Sequence, residues 1–183
     1  VLNHSVIPND DKHFEIVNFT LHEIQPYDLN FEGVGNAVGM KLLIPEYQRE
    51  FVWEEDRYID YINSVVTAKL PLEPIYLQHA LDERNRVDLA KNYIIDGKHR
   101  VKAIIRMFNN DLPIFGYYWK DIQPRDQMFI KMKILPHYYL WGKCSSIQAA
   151  ELYIMVNFTK IPHTAQDKQK ALAYIKQQKE HHV

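Results

Sequence analysis

Apolar and polar positions change period several times along this chain, and each change marks an element. Val17, Phe19 and Leu21 alternate with Asn18 and Thr20, the two-residue period of a half-buried strand. Gly33-Val34-Gly35-Asn36 reads as a loop, too irregular for a nucleotide fingerprint. From Glu54 the pattern lengthens. Acids at Glu54, Glu55 and Asp56 suit a first helical turn, and Tyr58, Ile59, Ile62, Val65 and Val66 recur at helical spacing, which predicts a helix over 55–68. Pro71 and Pro74 end it, Ile75-Tyr76-Leu77 reads as a short buried strand, and Asp82 to Arg86 reads as a charged loop.

Tyr93-Ile94-Ile95 is a second short apolar run. It ends at Asp96-Gly97, after which Val101, Ile104, Ile105 and Phe108 mark one face of a helix. Met128, Ile130, Met132 and Ile134 alternate with Phe129, Lys131 and Lys133, which predicts a strand closed by Pro136. Beyond it the chain reads as helical. Ser145 with Gln148, and Thr164 with Asp167, have the form of capping boxes, and a last helix over 165–179 carries Ala171, Leu172 and Ile175 on one side.

Composition narrows the class. A chain of 183 residues with 46% apolar content can bury a full core, as one domain or one domain with an extension. Its apolar runs are too short to span a bilayer, and no secretory signal precedes the first strand, so the expectation is a cytoplasmic protein with no membrane partner. The single cysteine, Cys144, cannot form an internal disulfide and suits a reducing compartment. A net charge of −1 lacks the global attraction of a dedicated nucleic-acid coat and leaves room only for local basic sites. The scattered histidines show no spacing suited to zinc. Twelve tyrosines, with the runs Phe115 to Trp119 and Tyr138 to Trp141, serve either an interface or, more simply, core packing.

Two stretches can carry chemistry. A strand that turns through glycine into a helix at Asp96-Gly97-Lys98-His99-Arg100 offers backbone N–H groups and a positive helix end to an anion, with phosphate the natural guest. Gly97 would allow close approach, Lys98 or Arg100 would neutralise charge, His99 would donate a hydrogen bond, and Asp96 would hold a metal or orient a water. The plain alternative is a turn with Asp96 as helix cap and a basic helix surface. The second stretch, Ile44 to Trp53, sets Arg49 among aromatics just before a helix. Arg49 would clamp phosphate or serve an internal ion pair, while Tyr47 and Trp53 would pack on a base or in the core.

Together, Ile44-Pro45-x-Tyr47-Gln48-Arg49 with Trp53, then Ile95-Asp96-Gly97-x-x-Arg100, and finally Asn157 to Thr164, resemble GmrSD-type restriction N-terminal domains over about residues 40–175. The resemblance implies an α+β fold: a ParB/sulfiredoxin-like core of short mixed strands with surrounding helices over 14–140, after a lead-in at 1–13 and before a helical extension at 141–183 packed on the core. It implies a nucleotide site in which Asp96, Arg100 and Arg49 act in hydrolysis. Gly97, Lys98, His99, Gln48, Tyr47 and Asn157 would bind nucleotide, and Mg2+ would sit at Asp96. The usual Asp-Gly-Gln-Gln-Arg is Asp-Gly-Lys-His-Arg here, closer to ParB-like and DndB-like spellings. Sulfiredoxin chemistry is disfavoured because Cys144 is far from the turn in sequence. Two functions follow: a nucleoside triphosphate hydrolase or phosphoryl-transfer protein linked to restriction or phage defence, or a non-catalytic module binding nucleotide, DNA or a defence protein as sensor, decoy or subunit.

Overall fold

The computed structural model describes residues 14–24, 34–35, 41–68, 72–81, 84, 86–140, 146–158 and 165–180. Its elements in chain order are β1 (Phe14–Thr20), α1 (Leu21–Ile24), β2 (Val34–Gly35), β3 (Lys41–Leu43), α2 (Glu55–Thr67), β4 (Ile75–Leu81), β5 (Val87–Asp96), α3 (Lys98–Phe108), α4 (Pro124–Lys131), β6 (Ile134–Leu140), α5 (Ser146–Phe158) and α6 (Ala165–Glu180). The strands form a mixed sheet in the order β1-β6-β4-β5-β3-β2. β4 and β5 pair as an antiparallel hairpin, β6 runs parallel to β4, and β3 runs parallel to β5. The class is α+β.

Strand alternation divides the core in two, because successive side chains point to opposite faces. Ile94 faces one way and packs with Ile75, Leu77, Leu135, Ile62 and Val65 of α2, and Val101, Ile104 and Ile105 of α3. Its neighbour Ile95 faces the other way, against Ala149, Ala150 and Tyr153 of α5 and Ala171 and Ile175 of α6. Both isoleucines are fully buried, and each stabilises the fold by roughly 1.5–3 kcal/mol. Asp96, one residue on, thus leaves a strand anchored on both faces. Arg106 ties α2 to α3 through a bidentate pair with Glu55 at 2.7 and 2.8 Å and a third bond to Asp111 at 2.6 Å.

Several expectations change. The strand expected over 128–134 is instead helix α4, opened by Pro124 in its first turn, and the strand that follows is β6. The alternating apolar residues misled because most face solvent: Met128 and Met132 are over 60% exposed, whereas Ile130 is buried. Pro136 does not close the strand but lies within it. Pairing with β4 begins only at His137, so Pro136 sits at the end of that ladder, where a missing N–H is tolerated. Val34 and Gly35, read as loop, pair with Leu42 and Lys41. The lead-in 1–13, both cap residues Ser145 and Thr164, and Cys144 lie outside the described residues.

The aromatic run at 115–119 splits. Trp119 is buried edge-on to Phe108 with centroids 4.8 Å apart. Phe115, Tyr117 and Tyr118 are exposed on a tight turn whose central residues Phe115 and Gly116 both have positive φ. No helix among the described residues is long and apolar enough to cross a membrane.

Candidate functional site

Where β5 ends, Gly97 adopts φ +99° and reverses the chain into α3, with Val101 N–H donating to its carbonyl at 3.0 Å. Gly97, not Asp96, is the N-cap, and no side chain caps the helix. The Asp-cap alternative therefore fails: Asp96 is the last residue of the strand and its carboxylate turns to Arg100. The positive end of α3 opens on a cleft of about 590 Å³. Its walls come from the 49–57 segment, the start of β4 (Glu73, Pro74, Tyr76), the Asp96–Arg100 turn, and Val156 and Asn157 at the end of α5.

Of the residues singled out in the sequence, Arg49, Trp53, Asp96, Gly97, His99, Arg100 and Asn157 line this cleft. Arg100 is held by charged partners, with Nη1 donating to Glu73 Oε2 at 2.8 Å and Nη2 to Asp96 Oδ2 and the Pro74 carbonyl, both at 2.9 Å. Asp96 is thereby engaged as an ion-pair partner. Asn157 donates from Nδ2 to the Tyr153 carbonyl at 2.9 Å, which orients its amide.

His99 is 7% exposed, stacked on Trp53 at 5.1 Å and edge-on to Phe51 at 5.3 Å. Its Nε2 accepts a hydrogen bond from the Val52 N–H at 3.0 Å, so in the neutral ring the proton sits on Nδ1. Burial first, then the cations Lys98, Arg49, Lys102 and Arg57, push its pKa down to about 3. At neutral pH it is an uncharged ring whose remaining donor is Nδ1. Of these four cations, Arg49 and Arg57 line the cleft.

Three sequence candidates stand behind the wall rather than on it. Tyr47 is 3% exposed and packs against Tyr153 and Tyr174 at 5.5 and 5.2 Å. Gln48 is buried, and its amide donates to the carbonyls of Ile94 and Ile95, pinning the Arg49 segment to β5. Lys98 is buried; its ammonium donates to the Arg49 carbonyl and lies 5.0 Å from the Phe51 ring centroid. These residues position Arg49 and His99. Gln48→Ala is expected to lower stability by about 2 kcal/mol, read as a shifted urea midpoint, because two buried carbonyls lose their donor.

Arg57, Glu73, Tyr76, Val52 and Val156 were not apparent from the sequence. Arg57 had one local cue: it lies four residues after Trp53 and stacks over that ring at 4.9 Å. A resident Mg2+ at Asp96 fits these residues poorly, since no group of three or more Asp, Glu, His or Cys suited to a metal occurs among the described residues and Asp96 already pairs with Arg100.

The model of the GmrSD restriction endonuclease N-terminal domain matches residues 30–181. The chain belongs to that family. In this GmrSD N-terminal domain the matched span includes every cleft-lining residue named above. No curated protein matches it in sequence. Among solved structures it is similar to the C-terminally truncated chromosome-partitioning protein ParB from Caulobacter crescentus, complexed with CTP-gamma-S, at 13% identity and a TM-score of 0.44. That alignment covers 81% of this chain and spans 56% of the ParB chain.

Proposed function

We propose that the cleft binds a nucleoside triphosphate through its phosphates, as the nucleotide-recognition part of a restriction system. The observation that carries this reading is the junction of an uncapped helix N-terminus at Gly97, where the backbone can be approached closely, with a wall bearing Arg49 and Arg57. The cleft's volume of about 590 Å³ lies within the usual range for small-molecule sites. His99, neutral and fixed by stacking, supplies a directional donor rather than a further charge. Tyr76, Val156 and Asn157 form the less charged wall, suited to a sugar or base.

Recognition is favoured over hydrolysis by the state of Asp96. Its carboxylate is held by the Arg100 guanidinium at 2.9 Å, so it is already engaged in the framework rather than turned to a water or a phosphate. Magnesium would arrive on the nucleotide and supply charge neutralisation of its phosphates. Binding of ATP, GTP and CTP, each with magnesium, should be followed calorimetrically together with phosphate release. Saturable binding without release is expected. Arg49→Ala and Arg57→Ala should each weaken binding by about 10-fold, the loss of one charge-assisted contact. Release abolished by Asp96→Ala would restore the hydrolase reading, and absence of binding to all three nucleotides would remove the nucleotide assignment.

A further inference from the structure

Arg100 lies at the back of the cleft with its side chain 13% exposed. Its Nη2 spends its hydrogens on the Pro74 carbonyl and Asp96, both part of the framework around the sheet end. Its Nε is buried without a hydrogen-bond partner among the described residues. Nη1 is therefore the nitrogen through which an incoming anion would meet Arg100, and Glu73 Oε2 holds it at 2.8 Å. The two carboxylates on Arg100 differ in setting: Asp96 is 26% exposed at the end of β5, whereas Glu73 is 79% exposed, precedes β4 and lines the cleft.

We infer that Glu73 is an internal occupant of the anion position at Arg100, displaced when a phosphate enters, and that this exchange selects ligands of high charge density. The inference rests on the phosphate-binding reading of the same cleft. The contact is weak on the Glu73 side, since that carboxylate is 79% exposed and gives up little on returning to water. A phosphate dianion offers three oxygens and more charge to the same nitrogen, so it displaces Glu73 with a net gain. A simple carboxylate ligand carries no more charge than Glu73 and gains nothing by the exchange. Glu73 thus discriminates against monoanions and holds nucleotide affinity below what the cleft would otherwise reach.

The experiment compares the parent protein with Glu73→Gln and Glu73→Asp in calorimetric titrations with ATP, GTP and CTP plus magnesium, and with acetate as the monoanion. Glu73→Gln removes the charge. Glu73→Asp keeps it but shortens the reach to Nη1 by one methylene. Both variants are expected to bind nucleotide about 3- to 5-fold more tightly, the strength of an exposed pair. Acetate, undetectable with the parent, should bind weakly to Glu73→Gln. A gain in Glu73→Gln alone would mean a general charge effect and overturn the proposal. Unchanged or weaker binding in both variants would overturn it too, and leaves the nucleotide reading standing if the parent binds. Absence of nucleotide binding by all three proteins would overturn both.

Discussion

Gly97→Ala is expected to reduce the unfolding free energy by about 3 kcal/mol, from roughly 1–2 kcal/mol of left-handed backbone strain plus a similar term for crowding. The backbone at Gly97 holds φ +99°, and a Cβ there would stand 3.2 Å from Arg100 Nη2 and 3.2 and 3.3 Å from the γ carbons of Ile75. Ile75 is 1% exposed and cannot yield without disturbing the core. Arg100 would yield instead, loosening its bonds to Asp96 and Pro74. Nucleotide binding should therefore fall by more than the stability change alone predicts. Urea unfolding and calorimetry on one preparation measure both. A variant as stable as the parent would contradict the strained turn, and unaltered binding in it would detach the turn from the site.

Acid should destabilise the protein steeply between pH 6.5 and 5. His99 and His137 are both buried, and burial is the leading cause in each case, lowering the pKa to about 3 and about 4 respectively from an ordinary 6.5. The geometry agrees. Protonating Nε2 of His99 would break its bond from Val52, and His137, 4% exposed, has its Nδ1 bonded to the Leu135 carbonyl at 2.8 Å while packing edge-on to Phe19. The unfolded chain binds protons at these sites below pH 6.5 and the folded one does not. Their contribution is therefore complete above pH 6.5 and declines as pH falls, until His137 titrates near 4 and His99 near 3. Each contributes a slope that grows toward about 1.4 kcal/mol per pH unit as pH falls below 6.5, so unfolding free energy should drop by about 3 kcal/mol from pH 6.5 to 5. That is a large part of the 5–15 kcal/mol typical of a domain. Denaturant titrations at the two pH values test it. His137→Phe should halve the slope, and an undiminished slope would place the buried proton sink elsewhere.

The cleft was only partly legible in the sequence, for reasons tied to particular residues. Asp96, Gly97, His99 and Arg100 were found because a strand-turn-helix junction is local: the apolar run, the glycine and the new period lie within sixteen residues of one another. Gln48 and Lys98 lie within the motif stretches but do not line the cleft. A motif marks residues that a site requires without saying which touch ligand and which hold the frame; burial decides, and burial depends on what packs above. Glu73 and Tyr76 reach the site only because β4 pairs with β5, placing Tyr76 opposite Asp96. Nothing near them in the chain announces that register.

Periodicity likewise succeeded and failed for a physical reason. The stripes in α2 and α3 fall on faces that are buried, so pattern and packing agree. From α4 into the start of β6, the alternating Met128, Met132 and Ile134 are exposed, and alternation there reported no buried face.

The sequence by itself determined the helices expected over 55–68 and 165–179, the helix after the glycine turn and the turn itself, which follow from local conformational preference and short-range spacing. The α+β class and the family came from the resemblance that its linked motifs carry. Only the tertiary structure decided the sheet order, the course of Pro136 through β6, the neutral state of His99 and the engagement of Arg100 by Glu73. Each of those depends on groups far apart in the chain being brought within a few ångströms and out of water, where charge, hydrogen bonding and burial compete and local pattern has no say.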